Sequence, residues 1–418
     1  MTRRLVSPTV LVVALLASAP TARAQELTGR VFVEGRVFPG SSSDGLARGN
    51  GSVAVEPEWY TEWDNGRQSL TVVPFARLDQ HDDERTHVDM RELAWDLIGD
   101  TWEMRTGVRK VFWGVTESNH LVDIINQTDL VEDLDGEEKL GQPMVNLALI
   151  QDWGTVDVYA LLGFRERRFF GAKGRPGIPF PLDTSGAEFE SAQGKTRVDW
   201  AVRWSHTVGA LDIGLSQFHG ISRDPRFLPD VPGGEAARDA LLGVLLAGVA
   251  GTIPDGIALV PVYDVIDQTG IDLQVTSGGW LWKLEAINRS GQGDRYAALT
   301  GRVEYTFANM AATGIDLGIL TEYAFDERDE RALTQLEDDI FVGARLAFND
   351  VSNTQVLGGA AIDRESGASF LNVEASRCVG DRWTVDVEFR GFVNVPPDDL
   401  FLYGIRQDDY LQASWTWH

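Results

Sequence analysis

Two sets of side chains in this chain could carry chemistry. The first is the material of an enzyme. The histidines are His81, His87, His120, His206, His219 and His418, and Ser205-His206 is the one adjacent nucleophile–base pair on a strand-like segment. Alternation along a strand points neighbouring side chains to opposite faces, so these two cannot share a proton as a dyad. No His-Glu-x-x-His, Gly-x-Ser-x-Gly or phosphate-loop pattern occurs. A hydrolase is therefore the weakest reading. Cys378, the single cysteine, excludes an internal disulfide framework and reads as a passive wall residue.

The second set is charge of both signs at every other residue. Arg77, Arg105, Arg109, Arg197, Arg203, Arg345 and Arg390 fall on the same expected face as Glu103, Asp199, Glu304, Glu322, Asp386 and Glu388. Charged groups survive inside a membrane protein only where water or partners solvate them. This face either lines an aqueous passage or forms a ladder of ion pairs that stiffens a wall, and the two readings are compatible.

Segment 114–142 concentrates the acid. Glu117, Asp123, Asp129, Glu132, Asp133, Asp135, Glu137 and Glu138 stand against one cation, Lys139. Leu121, Val122, Ile124 and Ile125 are spaced like one face of a helix, so the segment must pack on something. Folded inward, its carboxylates, Asp133, Asp135, Glu137 and Glu138 among them, would oppose wall arginines such as Arg105 and Arg109. Such a transverse field governs ion selectivity at a constriction. The alternative is a solvated outer loop. A calcium site at Asp129 to Glu138 fits oxygen-rich chemistry, but Val131 and Gln142 stand where EF-hand spacing needs ligands. No cofactor is expected. With 37 Lys and Arg against 63 Asp and Glu, a formal charge of −26 disfavours a nucleic-acid partner.

The elements that must position these groups are short strands. Val198, Trp200, Val202 and Trp204 alternate with Arg197, Asp199 and Arg203, and Trp383, Val385, Val387 and Phe389 with Asp386, Glu388 and Arg390. Expected turns near 65–66, 99–100, 152–154, 207–210, 277–278, 308–313, 349–352 and 380–381 interleave with connections near 39–51, 80–86, 114–142, 166–194, 221–260, 290–294, 326–337, 364–367 and 395–407. Short turns on one side and longer loops on the other are the rule of transmembrane barrels, whereas a Greek-key sandwich has no reason to sort its loops so. The fold expected is an all-β, antiparallel, up-and-down transmembrane barrel of about 18 strands, with 16 as the alternative. Trp59, Trp63, Trp102, Trp204, Trp280, Trp383, Trp415 and Trp417 lie near strand ends, where interfacial girdles form. Arg3 and Arg4, the apolar run from Val10 to Ala17 and Ala22-Arg23-Ala24 read as a signal peptide over 1–24, leaving the barrel at 25–418.

These features together resemble a bacterial outer-membrane porin. The stretch Val108-Arg109-Lys110-Val111-Phe112-Trp113-Gly114, followed by Asp123 to Asp129 with Asn126, is similar to a pattern in uncharacterised porin-like barrels related to the alginate-export type. The resemblance implies passive diffusion of small hydrophilic solutes or ions through the bacterial outer membrane. The acidic loop adds a modest preference for cations. A barrel whose long loops plug the lumen, structural or binding, is the alternative. Expected partners are outer-membrane lipid and lipopolysaccharide, small hydrophilic solutes, and the barrel-assembly machinery. The last would read the terminal strand with Leu411, Ala413, Trp415 and Trp417, which ends one residue late on His418. A homo-trimer is open.

Overall fold

Side chains that alternate along a strand put apolar groups on one face of a sheet and charged groups on the other. In the computed structural model, eighteen such strands close on themselves as one antiparallel barrel. The structure describes residues 24–42, 45–177, 181–248, 257–329, 332, 334, 336–396 and 402–418. The expected signal peptide falls outside them, apart from Ala24, which opens the first strand.

The first half of the wall is β1 (Ala24–Val37), β2 (Gly49–Trp63), β3 (Gln68–Asp79), β4 (His87–Ile98), β5 (Trp102–Arg109), β6 (Gln142–Gln151), β7 (Gly154–Leu162), β8 (Val198–Val208) and β9 (Leu211–Ile221). The second is β10 (Val265–Ser277), β11 (Trp280–Ser290), β12 (Tyr296–Phe307), β13 (Asp316–Asp326), β14 (Asp338–Ala347), β15 (Gln355–Asp363), β16 (Ser369–Val379), β17 (Trp383–Val393) and β18 (Tyr410–Trp417). Successive strands pair with each other, and Val31–Val37 of β1 pairs with Leu411–Trp417 of β18 to shut the wall. All eight expected turns and nine expected loops have counterparts, in the expected alternation.

Register follows the alternation. Val342 and Val387 are 51% and 39% exposed, whereas Phe341 and Glu388 beside them are 7% and 9% exposed. The outer face is an apolar belt, and a closed barrel can present it to lipid because no backbone edge is left unpaired around the wall. Near the short turns the belt ends in exposed aromatics, among them Trp102, Trp280, Trp383, Trp415 and Trp417. The Trp280 ring meets Tyr305 edge-on at 4.7 Å.

Two local departures matter for the interior. The helical face expected at Leu121 to Ile125 does not form; the segment is irregular chain. Side chains compete with the helix there. The Asp123 carboxylate accepts from the Trp113 and Gly114 amides at 2.6 and 2.9 Å, and Asn126 Oδ1 accepts from the Val111 amide at 2.8 Å. In β4, Val73 lies opposite Glu92 but Pro74 opposite Met90, so Arg91 is the extra residue of a bulge. A bulge re-aims a side chain, and Arg91 is turned inward and buried. Above the wall, strands at 188–189, 226–229 and 259–263 form a separate small sheet, flanked by helix α1 (Glu235–Gly248). The helix covers part of the apolar stretch from Ala240 to Gly251, whose last residues lie outside the described ones.

Candidate functional site

Loop 110–141 starts from β5 and bonds to inward-facing residues all round the wall. Its first part is held by wall carboxylates that accept from its backbone. Glu285 of β11, fully buried, takes the Val115 and Thr116 amides at 2.6 and 2.9 Å and the Val122 amide at 3.1 Å. Glu322 of β13 takes the Glu117 and Ser118 amides, both at 2.9 Å. The Glu117 side chain in turn binds Arg302 of β12 and, at 2.7 Å, Arg345 of β14.

Further along, the polarity reverses, and loop carboxylates accept from wall arginines. Glu132 holds Arg77 of β3 in a two-point contact at 2.7 and 3.0 Å, the strongest geometry for this pair of groups. Asp129 binds the bulge residue Arg91 at 2.6 Å. Arg85, buried in loop 80–86, donates to the Val131 carbonyl at 2.8 Å and pairs with Glu34 of β1 at 2.7 Å. At the tip, Asp135 lies 3.4 Å from Arg390 of β17, and Asp133 lies 3.9 Å from it. Arg36 of β1 donates to the Glu132 carbonyl at 3.3 Å.

Apolar packing completes the seat. Val122, Ile124 and Ile125 are buried against Trp113, Met144, Tyr159, Phe218, Ile266 and Ile287, the inward residues of β6 to β11 with Trp113 of the loop itself. Cavities remain on the loop, two of them beside its charged and polar groups. One of about 510 Å³ is lined by Val115 and by Arg203, Asp212 and Asp272 near the short turns of β6 to β10. The other, of about 640 Å³, lies between Thr116 to His120, the acidic tip and the wall of β14 to β17.

The expected pore residues divide accordingly. Asp135, Glu137 and Arg390 line the larger cavity and Arg203 the smaller. Arg77, Asp199, Glu304, Glu388 and Arg390 are buried in ion-pair networks. Asp199 holds Arg197 at 3.0 Å, Glu304 holds Arg302, and Glu388 holds Arg390 at 2.8 Å. Arg203 binds Asp272 at 2.6 Å, a pair for which Gly214 leaves the room: a Cβ there would come within 2.3 Å of both side chains. Glu103 pairs with Arg105 along β5. Arg105 and Arg109 are not the arginines that oppose the acidic tip, because the loop leaves from β5 itself and its tip reaches the far wall. Glu138 meets Lys110 at 3.3 Å instead.

Charge is set by these neighbours. Burial works against a proton on His120, but its 2.5 Å hydrogen bond to Glu137 and the Glu285 carboxylate 3.8 Å away hold the imidazole up to about 10. Burial and the adjacent Asp133 push the Asp135 carboxyl up to about 8. Calcium at Asp129 to Glu138 meets competition, because Asp129, Glu132, Asp135, Glu137 and Glu138 each have a basic partner. His87, Asp129 and Glu132 bring one ligand atom each within 4.8 Å of one another, yet Arg77 and Arg91 bind the two carboxylates. The Ser205-His206 pair offers no dyad: the His206 ring lies 6.0 Å from that of outward-facing Trp204.

No protein-family model and no curated protein matches this sequence. Solved structures do match in fold. A BenF-like porin from Pseudomonas fluorescens Pf-5 is similar at TM-score 0.52 and 9% identity, over 94% of this chain and 97% of that one. Wzi, an outer-membrane protein involved in group 1 capsule assembly in Escherichia coli and a carbohydrate-binding β-barrel, is similar at TM-score 0.50 and 8% identity, over 92% of this chain and 83% of that one. The chain has the fold of outer-membrane, porin-like barrels.

Proposed function

We propose that this chain is a channel of the bacterial outer membrane for passive diffusion of small hydrophilic solutes or ions, narrowed by loop 110–141. The observation that carries it is the position of that loop. Bonds to β1, β3, β4, β11 to β14 and β17 hold it across the barrel, with cavities of about 510 and 640 Å³ against it. Charge on the constriction is mixed, and the acidic tip adds a modest preference for cations. The pore-lining set is Asp135, Glu137, Glu138, Asp133, Arg203 and Arg390, with the buried pairs as scaffold.

A second reading has its own support. The loop buries Val122, Ile124, Ile125 and Val131 almost completely, as a plug would, and Wzi offers a carbohydrate-binding precedent for the fold. Single-channel recording of the full-length barrel in a planar bilayer separates the two. Ohmic steps in potassium chloride support the channel; a silent, fully inserted barrel refutes it in favour of the plug.

A further inference from the structure

The larger cavity has a chemistry that simple ion passage does not require. One side is aromatic: Phe341 of β14, Phe370 of β16 and Phe392 of β17 turn inward, with Leu402 and Ile405 packed beside Phe392. Beside this wall stand two carboxylates, Asp339 and Asp363, directly opposite each other in the ladder of β14 and β15. Residues so paired have Cβ atoms about 5 Å apart, and like charges there are destabilising.

Neither has a basic partner among the described residues. Asp339 is 5% exposed, and its Oδ2 has no hydrogen-bond partner. Among the described residues, the Asp363 carboxylate accepts from the Glu365 and Ser366 amides and the Ser366 hydroxyl. The contrast with other carboxylates on the cavity is sharp. Glu117 has Arg345 at 2.7 Å, Glu137 has His120 at 2.5 Å, and Glu374 has Arg390 at 3.0 Å. Among the described residues, the two arginines that line the cavity are already committed as well, Arg167 to Asp224 at 2.7 Å and Arg390 to Glu388 at 2.8 Å. A buried acceptor without a donor is costly, so the pair is poised for a cation from outside.

We propose that this cavity binds small organic ammonium ions that carry an aromatic or apolar body, the ammonium between Asp339 and Asp363 and the body against Phe341, Phe370 and Phe392. The inference deepens the channel reading and rests on it, since the cavity lies against the loop that narrows the lumen. Metal ions gain nothing from the aromatic wall. Apolar anions are repelled by the carboxylate pair. An ammonium with a ring satisfies both halves through charge-assisted hydrogen bonds and apolar burial.

The test is equilibrium dialysis of the full-length, detergent-solubilised barrel with 2-phenylethylammonium chloride, against methylammonium chloride and 2-phenylethanol as probes. Phenylethylammonium should bind at least about tenfold more tightly than either, and Asp339→Asn with Asp363→Asn should remove that advantage. Asp339→Asn alone provides a milder variant, expected to lose part of it, should the double variant fail to fold. Equal retention of the three probes, or unchanged retention by the folded variants, overturns the proposal. Potassium chloride conductance is recorded on the same preparations. A silent barrel that still binds phenylethylammonium refutes the channel and keeps the site; a conducting barrel indifferent to the probe does the reverse.

Discussion

Loop 110–141 is held on its two flanks by opposite kinds of force. Toward β6 to β11 it is seated by Val122, Ile124 and Ile125, which are at most 2% exposed. Toward β3, β4 and β17 it is held by arginine–carboxylate contacts through Asp129, Glu132 and Asp135. Apolar packing is indifferent to pH and nearly so to salt, whereas buried ion pairs depend on every partner being present. One flank therefore fixes where the loop lies, and the other sets the field that a passing solute meets. Open volume lies on both sides, about 640 Å³ beside the charged tip and about 510 Å³ beside Val115 near the short turns of β6 to β10.

The sharpest way to break this contrast is Glu132→Ala. It leaves Arg77 without its two-point partner, and removal of one member of a buried pair costs about 3–5 kcal/mol. Chemical unfolding should show that loss, and limited proteolysis should cut the loop. Ile125→Ala, on the other flank, should cost about 2–5 kcal/mol by leaving a cavity, yet leave the reversal potential in a salt gradient where it was. A changed reversal potential in Ile125→Ala would erase the division of labour. Joint neutralisation of Asp133, Asp135, Glu137 and Glu138 should lower the cation-to-anion permeability ratio by roughly twofold. An unchanged ratio would leave wall charges as its sole source.

The smallest effect should come from pH. Asp135 has its carboxyl raised to about 8, so it gains charge as pH rises through that value. The folded chain binds this proton more tightly than the unfolded one. Ionisation therefore takes stability away between the ordinary aspartate range, near 4, and about 8, and nothing further above it. Cation preference should increase between pH 7 and 9 in the parent barrel and stay flat over that interval in Asp135→Asn.

How much of this was legible depends on distance along the chain. Period-two alternation and turn spacing are local, and they were enough for eighteen strands, their register at Val342 and Val387, and the sorting of loops. The bulge at Arg91 was invisible because it changes the period for one residue in a strand interrupted by no glycine. The loop's helical face was misread because Asp123 and Asn126 spend their side chains on nearby amides. Ion partners were beyond reach altogether: Glu117 finds Arg302 and Arg345 at separations of 185 and 228 residues. Glu285 was nearer to hand, since it alternates inward in the segment that begins at Trp280. Asp339 and Asp363 face each other across one hairpin, so the short loop at 364–368 already fixes their register.

The seam between β1 and β18 carries a consequence for the order of assembly. Arg36 and Gln412, bonded across it, stand 376 positions apart, so the barrel shuts through contacts that are far from local. Contacts of such separation form slowly, because the chain between them must first be ordered. Arg36 also bonds to the Glu132 carbonyl of the inner loop. Closure thus joins three parts of the chain at once, and a loop left outside deprives the last strand of part of its landing surface. The seam of the wall and the seat of the inner loop therefore share one side chain, so a change at Arg36 reaches both.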